Sequence, residues 1–217
     1  MKMLIRSFKL TDTEQCVELI KCVWDFDGFS SSIGSNATAM WYFAHHLLPS
    51  THTFILEEEG KVLGYLFATI PNCTALQDQE ELQQLNRLIE EQWNSTTSED
   101  ERSQFLKDWF YGGNWAEEVL EQQQIQSKAS MWLQLFVVSP NAQGKGIGTR
   151  LLKAFETVAK KTSYHWLLLR TDTWCGWQFY EKRGFLRLGA CPVVELPVQE
   201  DGVQPAYYLY GKRSDNQ

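Results

Sequence analysis

The sequence predicts a mixed α+β fold: a mostly antiparallel twisted sheet flanked by helices, carrying one helical insertion. Three observations lead there. An apolar strand, a glycine-rich turn and an amphipathic helix follow one another between Met131 and Lys161. Two stretches, Thr53 to Ile70 and Leu186 to Lys212, read as antiparallel strand pairs. Between Pro71 and Ser130 lies a glutamine- and glutamate-rich stretch, too long for bare loop, with apolar residues at helical spacing.

In chain order, Met3 to Phe8 reads as a short strand. Thr11-x-x-Glu14 has the pattern of a capping box, and the helix it opens carries Cys16, Val17, Leu19, Ile20, Val23 and Trp24 on its buried side. Asp25 to Asn36 is Gly- and Ser-rich and is expected to be loop. A second helix is expected from Ala37 to Leu48, stopped by Pro49. Its Trp41, Tyr42 and Phe43 are consecutive, so a helix cannot turn all three to one core. They either line a pocket, meet another segment or pack under neighbouring loops. His45 and His46 diverge for the same reason, which argues against a shared metal site. Thr53 to Glu58 and Lys61 to Ile70 form a hairpin turning at Glu59-Gly60.

The insertion covers about residues 73–128. Leu82, Leu85, Leu88, Ile89 and Trp93 suit one helix. Ser98-x-x-Glu101 is a second capping box, leading to Phe105, Leu106, Trp109 and Phe110. Tyr111 to Trp115 breaks that helix, and Ala116 to Gln126 resumes it. Two roles stay open. The insertion is a lid or wall with Trp109, Tyr111 or Trp115 on a substrate, or it is a helical pair that packs on the sheet or builds a homodimer interface.

Trp132, Leu133, Leu135, Phe136, Val137 and Val138 make a nearly continuous apolar run, as in a strand buried on both faces. Ser139, Pro140 and Asn141 end it. Gln143-Gly144-Lys145-Gly146-Ile147-Gly148-Thr149 follows, where a helix begins with Ile147, Leu151, Leu152, Phe155, Val158 and Ala159 on one face. Lys160 and Lys161 close that helix with the sign its dipole favours. The first amides of a helix lack internal partners and make an anion site. Glycine admits the dihedrals that such a cradle needs, and Lys145 and Arg150 add positive charge. The segment reads as a diphosphate loop; its plain alternative is a tight turn with glycine for packing. It lacks the Walker pattern, because Gly146 follows Lys145, and its G-x-G-x-G spacing departs from the dinucleotide fingerprint. Asp172, at the end of the next strand, keeps a ribose-binding reading open as a weaker rival.

Downstream, Tyr164 to Thr171 is a further apolar strand. Thr173 to Arg183 is expected as a short helix stopped by Gly184. Leu186 to Leu196 and Ala206 to Lys212 should pair through Glu200-Asp201-Gly202, and Ser214 to Gln217 is a polar tail expected to fray.

Gln143-x-x-Gly146-x-Gly148, after a strand ending Val138-x-Pro140, resembles the acyl-CoA loop of the GNAT N-acetyltransferases. Phe179-Tyr180-Glu181-Lys182-Arg183-Gly184-Phe185 is similar to that superfamily's F-Y-x-x-x-G-F segment. The two occur in the family's order over about Met131 to Phe185. The resemblance implies one N-acetyltransferase-like domain over residues 1–217 and acetyl-CoA as co-substrate. It implies direct attack on the thioester by the amine of a small molecule or peptide.

It also implies cofactor contacts from Val137, Val138, Gln143, Gly144, Lys145, Gly146, Ile147, Gly148 and Thr149. A backbone N–H at Val137 or Val138 would meet the oxyanion, and Tyr180 would be the acid for the departing thiolate. Two positions depart from the family pattern. Gln134 stands where many relatives carry a glutamate base, leaving Glu57, Glu58, Asp172, His165 or ordered water. Thr173 stands where relatives place an asparagine on the pantetheine arm, and as a cofactor contact its hydroxyl would do part of that job. Gln134 also leaves room for a non-catalytic acyl-CoA-binding module on the same scaffold.

With 217 residues and 43% hydrophobic, the chain suits one globular domain. A net charge of −7 argues against general nucleic-acid binding and is compatible with cationic amines. Five cysteines without ligand spacing suggest a reducing compartment and no metal site; Cys175, near the motifs, is the thiol of interest. No signal-peptide core or spanning run is evident, so a cytoplasmic protein without membrane contact is expected.

Overall fold

The computed structural model describes residues 3–24, 26, 32–76, 79–109, 114–162, 164–198 and 202–213. A seven-stranded sheet has the order β1-β2-β3-β4-β5-β7-β6. Its strands are β1 (Met3–Arg6), β2 (His52–Glu58), β3 (Lys61–Thr69), β4 (Met131–Val138), β5 (Trp166–Asp172), β6 (Leu186–Pro192) and β7 (Ala206–Arg213). Its helices are α1 (Thr13–Val23), α2 (Ser32–Leu47), α3 (Glu80–Thr96), α4 (Glu99–Trp109), α5 (Trp115–Gln122), α6 (Ile147–Ala159) and α7 (Gln178–Glu181). The sheet is mixed and mostly antiparallel: β1 with β2, β2 with β3, β5 with β7 and β6 with β7 are antiparallel. β4 and β5 are parallel from Met131 against Leu167 to Leu133 against Leu169.

The chain forms two compact units. The first holds residues 1–111 and 134–161. Its hairpin turns on Glu59 and Gly60, both left-handed at φ 52° and 78°, the dihedrals that match the twist of paired strands. From β3, the Tyr65 hydroxyl donates to the Cys16 carbonyl of α1 at 3.0 Å inside the core.

α2 begins at Ser32, five residues before the expected start, within the stretch read as loop; residues 25 and 27–31 lie outside the described residues. Tertiary packing overrides the weak propensity of its Gly and Ser, because Ala37 and Ala39 are wholly buried. The three consecutive aromatics are all used in packing. Trp41 stacks on Trp93 of α3 at 4.2 Å, Phe43 meets Phe67 of β3 at 5.6 Å, and Tyr42 lies between Trp24 and Phe105. The Thr11/Glu14 box does not form. A 3-10 turn, Leu10–Asp12, precedes α1, and the Asp12 carboxylate accepts the Lys9 N–H at 2.8 Å.

The insertion's first two helices belong to this core. Leu82, Ile89, Trp93 and Phe105 are buried with α2. The Ser98 box closes as read: Ser98 N–H donates to the Glu101 carboxylate at 2.6 Å, and Glu101 N–H donates to the Ser98 hydroxyl at 3.2 Å. The backbone of Trp109 ends α4, but its side chain, Phe110 and Tyr111 lie outside the described residues.

The second unit holds residues 112–133 and 162–217. α5 ends at Gln122, and Trp115 is buried with Leu120, Leu168 and Leu209. The expected helix from Thr173 shrinks to α7, because Asp172 caps a turn through Cys175. β6 and β7 pair as expected. Glu200, Asp201 and the tail Ser214 to Gln217 lie outside the described residues.

β4 corrects one expectation. Met131, Leu133, Leu135 and Val137 are buried, while Trp132, Gln134, Phe136 and Val138 are half-buried. The strand has one fully covered face, and its apolar second face stays partly open.

Candidate active site

In the first unit, β4 stops where Ser139 N–H donates to the Leu63 carbonyl at 2.9 Å. A 3-10 turn, Pro140–Ala142, buries Ala142 and leaves Gln143, Gly144, Lys145 and Gly146 exposed. Gly144 and Gly146 have φ of 78° and 74°, a region that costs an L side chain about 1–2 kcal/mol. Gly146 is the N-cap of α6, and Ile147 anchors its first turn in the core. An added Cβ at Gly144 or Gly146 would meet nothing within 4 Å. The glycines therefore serve backbone conformation, with open space in front of them. The positive end of a thirteen-residue helix behind an open glycine turn fits a diphosphate. Lys145 and Thr149 are exposed at this turn, and Gly148 is half-buried. Arg150 is drawn to the edge strand, where it donates to the Met3 carbonyl at 3.3 Å.

Gly64 of β3 is part of this arrangement, and the sequence reading passed over it. A Cβ there would sit 2.8 Å from the Val137 carbonyl oxygen, 3.1 Å from Ile147 and 3.3 Å from Val138 Cα. Only glycine lets β3 approach the strand end and the helix start together. A glycine inside an otherwise apolar strand is the signal that could have found it.

Gln134 Nε2 donates to the Thr69 hydroxyl at 3.0 Å, and that hydroxyl donates to the Pro49 carbonyl at 3.1 Å. Among the proposed bases, Glu57 is committed to Arg6, whose Nε donates to it at 2.8 Å. Glu58 lies beside the hairpin turn, in register with Lys61.

In the second unit, Tyr180 is the third of the four residues of α7. It is half-buried, with ring centroids 5.8 Å from Phe185 and 6.2 Å from Tyr210. Burial pushes its phenol above the ordinary range, and the nearby Cys175 and Asp172 add to the shift. Gly184, at φ 79°, ends the segment with its N–H on the Glu181 carbonyl at 3.0 Å. Asp172 Oδ1 accepts the Trp174 and Cys175 N–H groups at 2.9 Å each, and the Cys175 thiol approaches Oδ2 at 3.5 Å. Burial raises the Asp172 carboxyl, and these hydrogen bonds offset only part of the rise. The Thr173 hydroxyl accepts the Ala206 N–H at 3.3 Å, tying the end of β5 to the start of β7. His165 is exposed ahead of β5.

The structure thus gathers Val137, Val138 and Gln143 to Thr149 in one unit, and Asp172, Thr173, Cys175 and Tyr180 in the other. A model of the Acetyltransferase (GNAT) family matches residues 17–185, more than half of the chain and inclusive of both motifs. The chain belongs to the GNAT acetyltransferase family.

Solved GNAT folds resemble it at low identity. An agmatine N-acetyltransferase superposes at TM-score 0.61 with 13% identity, covering 98% of this chain and 100% of that one. The ribosomal-protein-S18-alanine N-acetyltransferase of Escherichia coli gives 0.53 and 13%, covering 100% and 99%. An N-acetyltransferase from Staphylococcus aureus Mu50 gives 0.52 and 14%, covering 98% and 99%. Among curated proteins none matches this GNAT chain in sequence. Among the described residues no helix is long and apolar enough to cross a membrane.

Proposed function

We propose that this GNAT protein is an acetyl-CoA-dependent N-acetyltransferase that acetylates the amine of a small molecule or peptide. The observation that carries the reading is the turn from Gln143 to Thr149, where two left-handed, exposed glycines lead into the start of α6. Acetyl-CoA supplies an acetyl group activated as a thioester. Gln143 to Thr149 hold its diphosphate, and the Thr173 hydroxyl takes the place of the family's asparagine toward the pantetheine arm. A backbone N–H at Val137 or Val138 donates to the carbonyl oxygen as it gains charge. Tyr180, held protonated by burial, gives its proton to the departing sulfur. The amine loses its proton to water or Asp172, since Gln134 carries no basic group and Glu57 is paired with Arg6.

Calorimetry with acetyl-CoA tests the loop, with Gly146→Trp as the control. The wild-type protein should bind, and the variant should not while keeping its circular dichroism. Absence of uptake by folded wild-type protein would remove the whole reading. A screen of amines with detection of released thiol then tests turnover, in which Tyr180→Phe should bind acetyl-CoA normally and react more slowly. Gln134, tied to Thr69 in place of an acid, favours a second reading, a non-catalytic acyl-CoA-binding module. Tight binding with no turnover on any amine would select it.

A further inference from the structure

We infer that Arg187 is a positioning residue that clamps the one-turn helix carrying Tyr180, an inference that rests on the acetyltransfer reading above.

α7 has four residues, Gln178–Glu181. A helix that short cannot hold its own geometry, because nucleation fixes several dihedrals for one hydrogen bond. Something outside it must set the direction of Tyr180. Among the described residues, the side chain of Arg187 engages both of its ends. The Arg187 guanidinium lies 4.8 Å from the ring of Trp177, the residue that caps α7 at its start. Its Nη2 donates to the carboxylate of Glu181, the last residue of α7, at 2.9 Å. Tyr180 sits between these two holding points.

The clamp is fixed from the sheet. Arg187 stands directly across from Tyr210 in the β6–β7 register, and a bulge follows it immediately, between Arg187 and Gly189; bulges re-aim the side chains beside them. Arg187 Nε donates to the Tyr210 hydroxyl at 3.0 Å, and that hydroxyl donates to Glu181 Oε1 at 2.8 Å. The guanidinium also lies 3.9 Å from the ring of Tyr208. Tyr208 and Tyr210 are themselves buried, so the guanidinium of the exposed Arg187 rests on a fixed surface. The Tyr210 ring in turn lies 6.2 Å from the Tyr180 ring, centroid to centroid. Planar stacking and forked donation are properties of Arg that Lys lacks, so Arg187→Lys removes the clamp and keeps the charge. The same network binds Glu181, so that motif residue serves as a holding point for α7 and is not a base.

The test is a double-mutant cycle on wild type, Arg187→Lys, Tyr180→Phe and the double variant, using acetyl-CoA and the best amine from the screen. Arg187→Lys should lower kcat about tenfold, within the usual span of coupled pairs, with the KM for acetyl-CoA within about twofold. In the Tyr180→Phe background it should lower kcat no further. Equal losses in both backgrounds, or no loss where Tyr180→Phe is slow, would overturn the clamp. A readout without turnover separates the two readings: the Tyr180 resonance of ring-labelled protein, assigned by its absence in Tyr180→Phe. It should shift or broaden in Arg187→Lys. An unchanged resonance overturns the clamp. A changed resonance together with a fully active Tyr180→Phe supports the clamp and rejects the acid role.

Discussion

At the scale of single residues, Gly64 and Asp12 are the positions where one atom decides most. Gly64→Ala places a methyl 2.8 Å from the Val137 carbonyl oxygen, so the backbone at the end of β4 must move. Misplacing a proposed oxyanion donor should slow transfer by about ten- to a hundredfold, while urea unfolding shows a loss of about 1–3 kcal/mol. Unchanged turnover in a folded variant would exclude a catalytic role for that strand end. The Asp12 carboxylate takes two forked hydrogen bonds from Arg6, at 2.6 and 2.8 Å. Burial works to raise its pKa, but the Arg6 hydrogen bond and the Lys9 N–H together hold it below the usual range. A depressed folded value means stability that is full above the unfolded pKa near about 4 and lost as pH falls through the folded value. Asp12→Asn should therefore cost about 2 kcal/mol at neutral pH, and the gap to wild type should narrow in acid, as urea melts over a pH series would show. For Tyr180 the sign is opposite. Its raised value keeps the acid protonated above the ordinary phenol pKa of about 10, so a pH–rate profile should show no Tyr180-dependent fall below that pH.

At the scale of elements, the insertion's first two helices close the core of their own unit. Phe105 of α4 is wholly buried and meets Phe26, Trp41, Tyr42 and Trp93. Phe105→Ala should cost about 3–5 kcal/mol, the range for a buried Phe reduced to a cavity. A removable lid would lose activity with little change in melting temperature, and thermal unfolding distinguishes the two. The helices were legible because Leu82, Ile89, Trp93 and Phe105 recur at helical spacing and the Ser98 box is a local signal. Their role was not legible, since spacing shows that a face is apolar and not what it covers. α2 shows the converse: its early start at Ser32 depends on burial of Ala37 and Ala39, a tertiary term that outweighs local Gly and Ser.

At the scale of the whole molecule, acetyl-CoA binding is linked to folding. A ligand that binds the native state alone adds about 2.7 kcal/mol at a hundredfold excess over its Kd. Acetyl-CoA should raise the melting temperature of wild type in a concentration-dependent way and leave Gly146→Trp unmoved. The first unit holds the loop and the second holds Tyr180, and the family match spans residues of both.

The sequence by itself determined what short-range sterics and periodicity dictate. Gly144, Gly146 and Gly184 announced left-handed turns because other residues are strained there, and the buried face of α6 followed from residues that recur every three or four positions. The Glu59-Gly60 turn fixed its hairpin for the same reason. Tertiary structure alone decided matters between residues far apart in the chain. It covered one face of β4 and left the other half-open. It paired Glu57 of β2 with Arg6 of the neighbouring β1. It made Gly64 a contact point for the end of β4 and the start of α6, and it set Arg187 across from Tyr210 and against Glu181. Such pairings have no local signature, because which distant side chains meet is set by strand register, and register exists only once the sheet has formed.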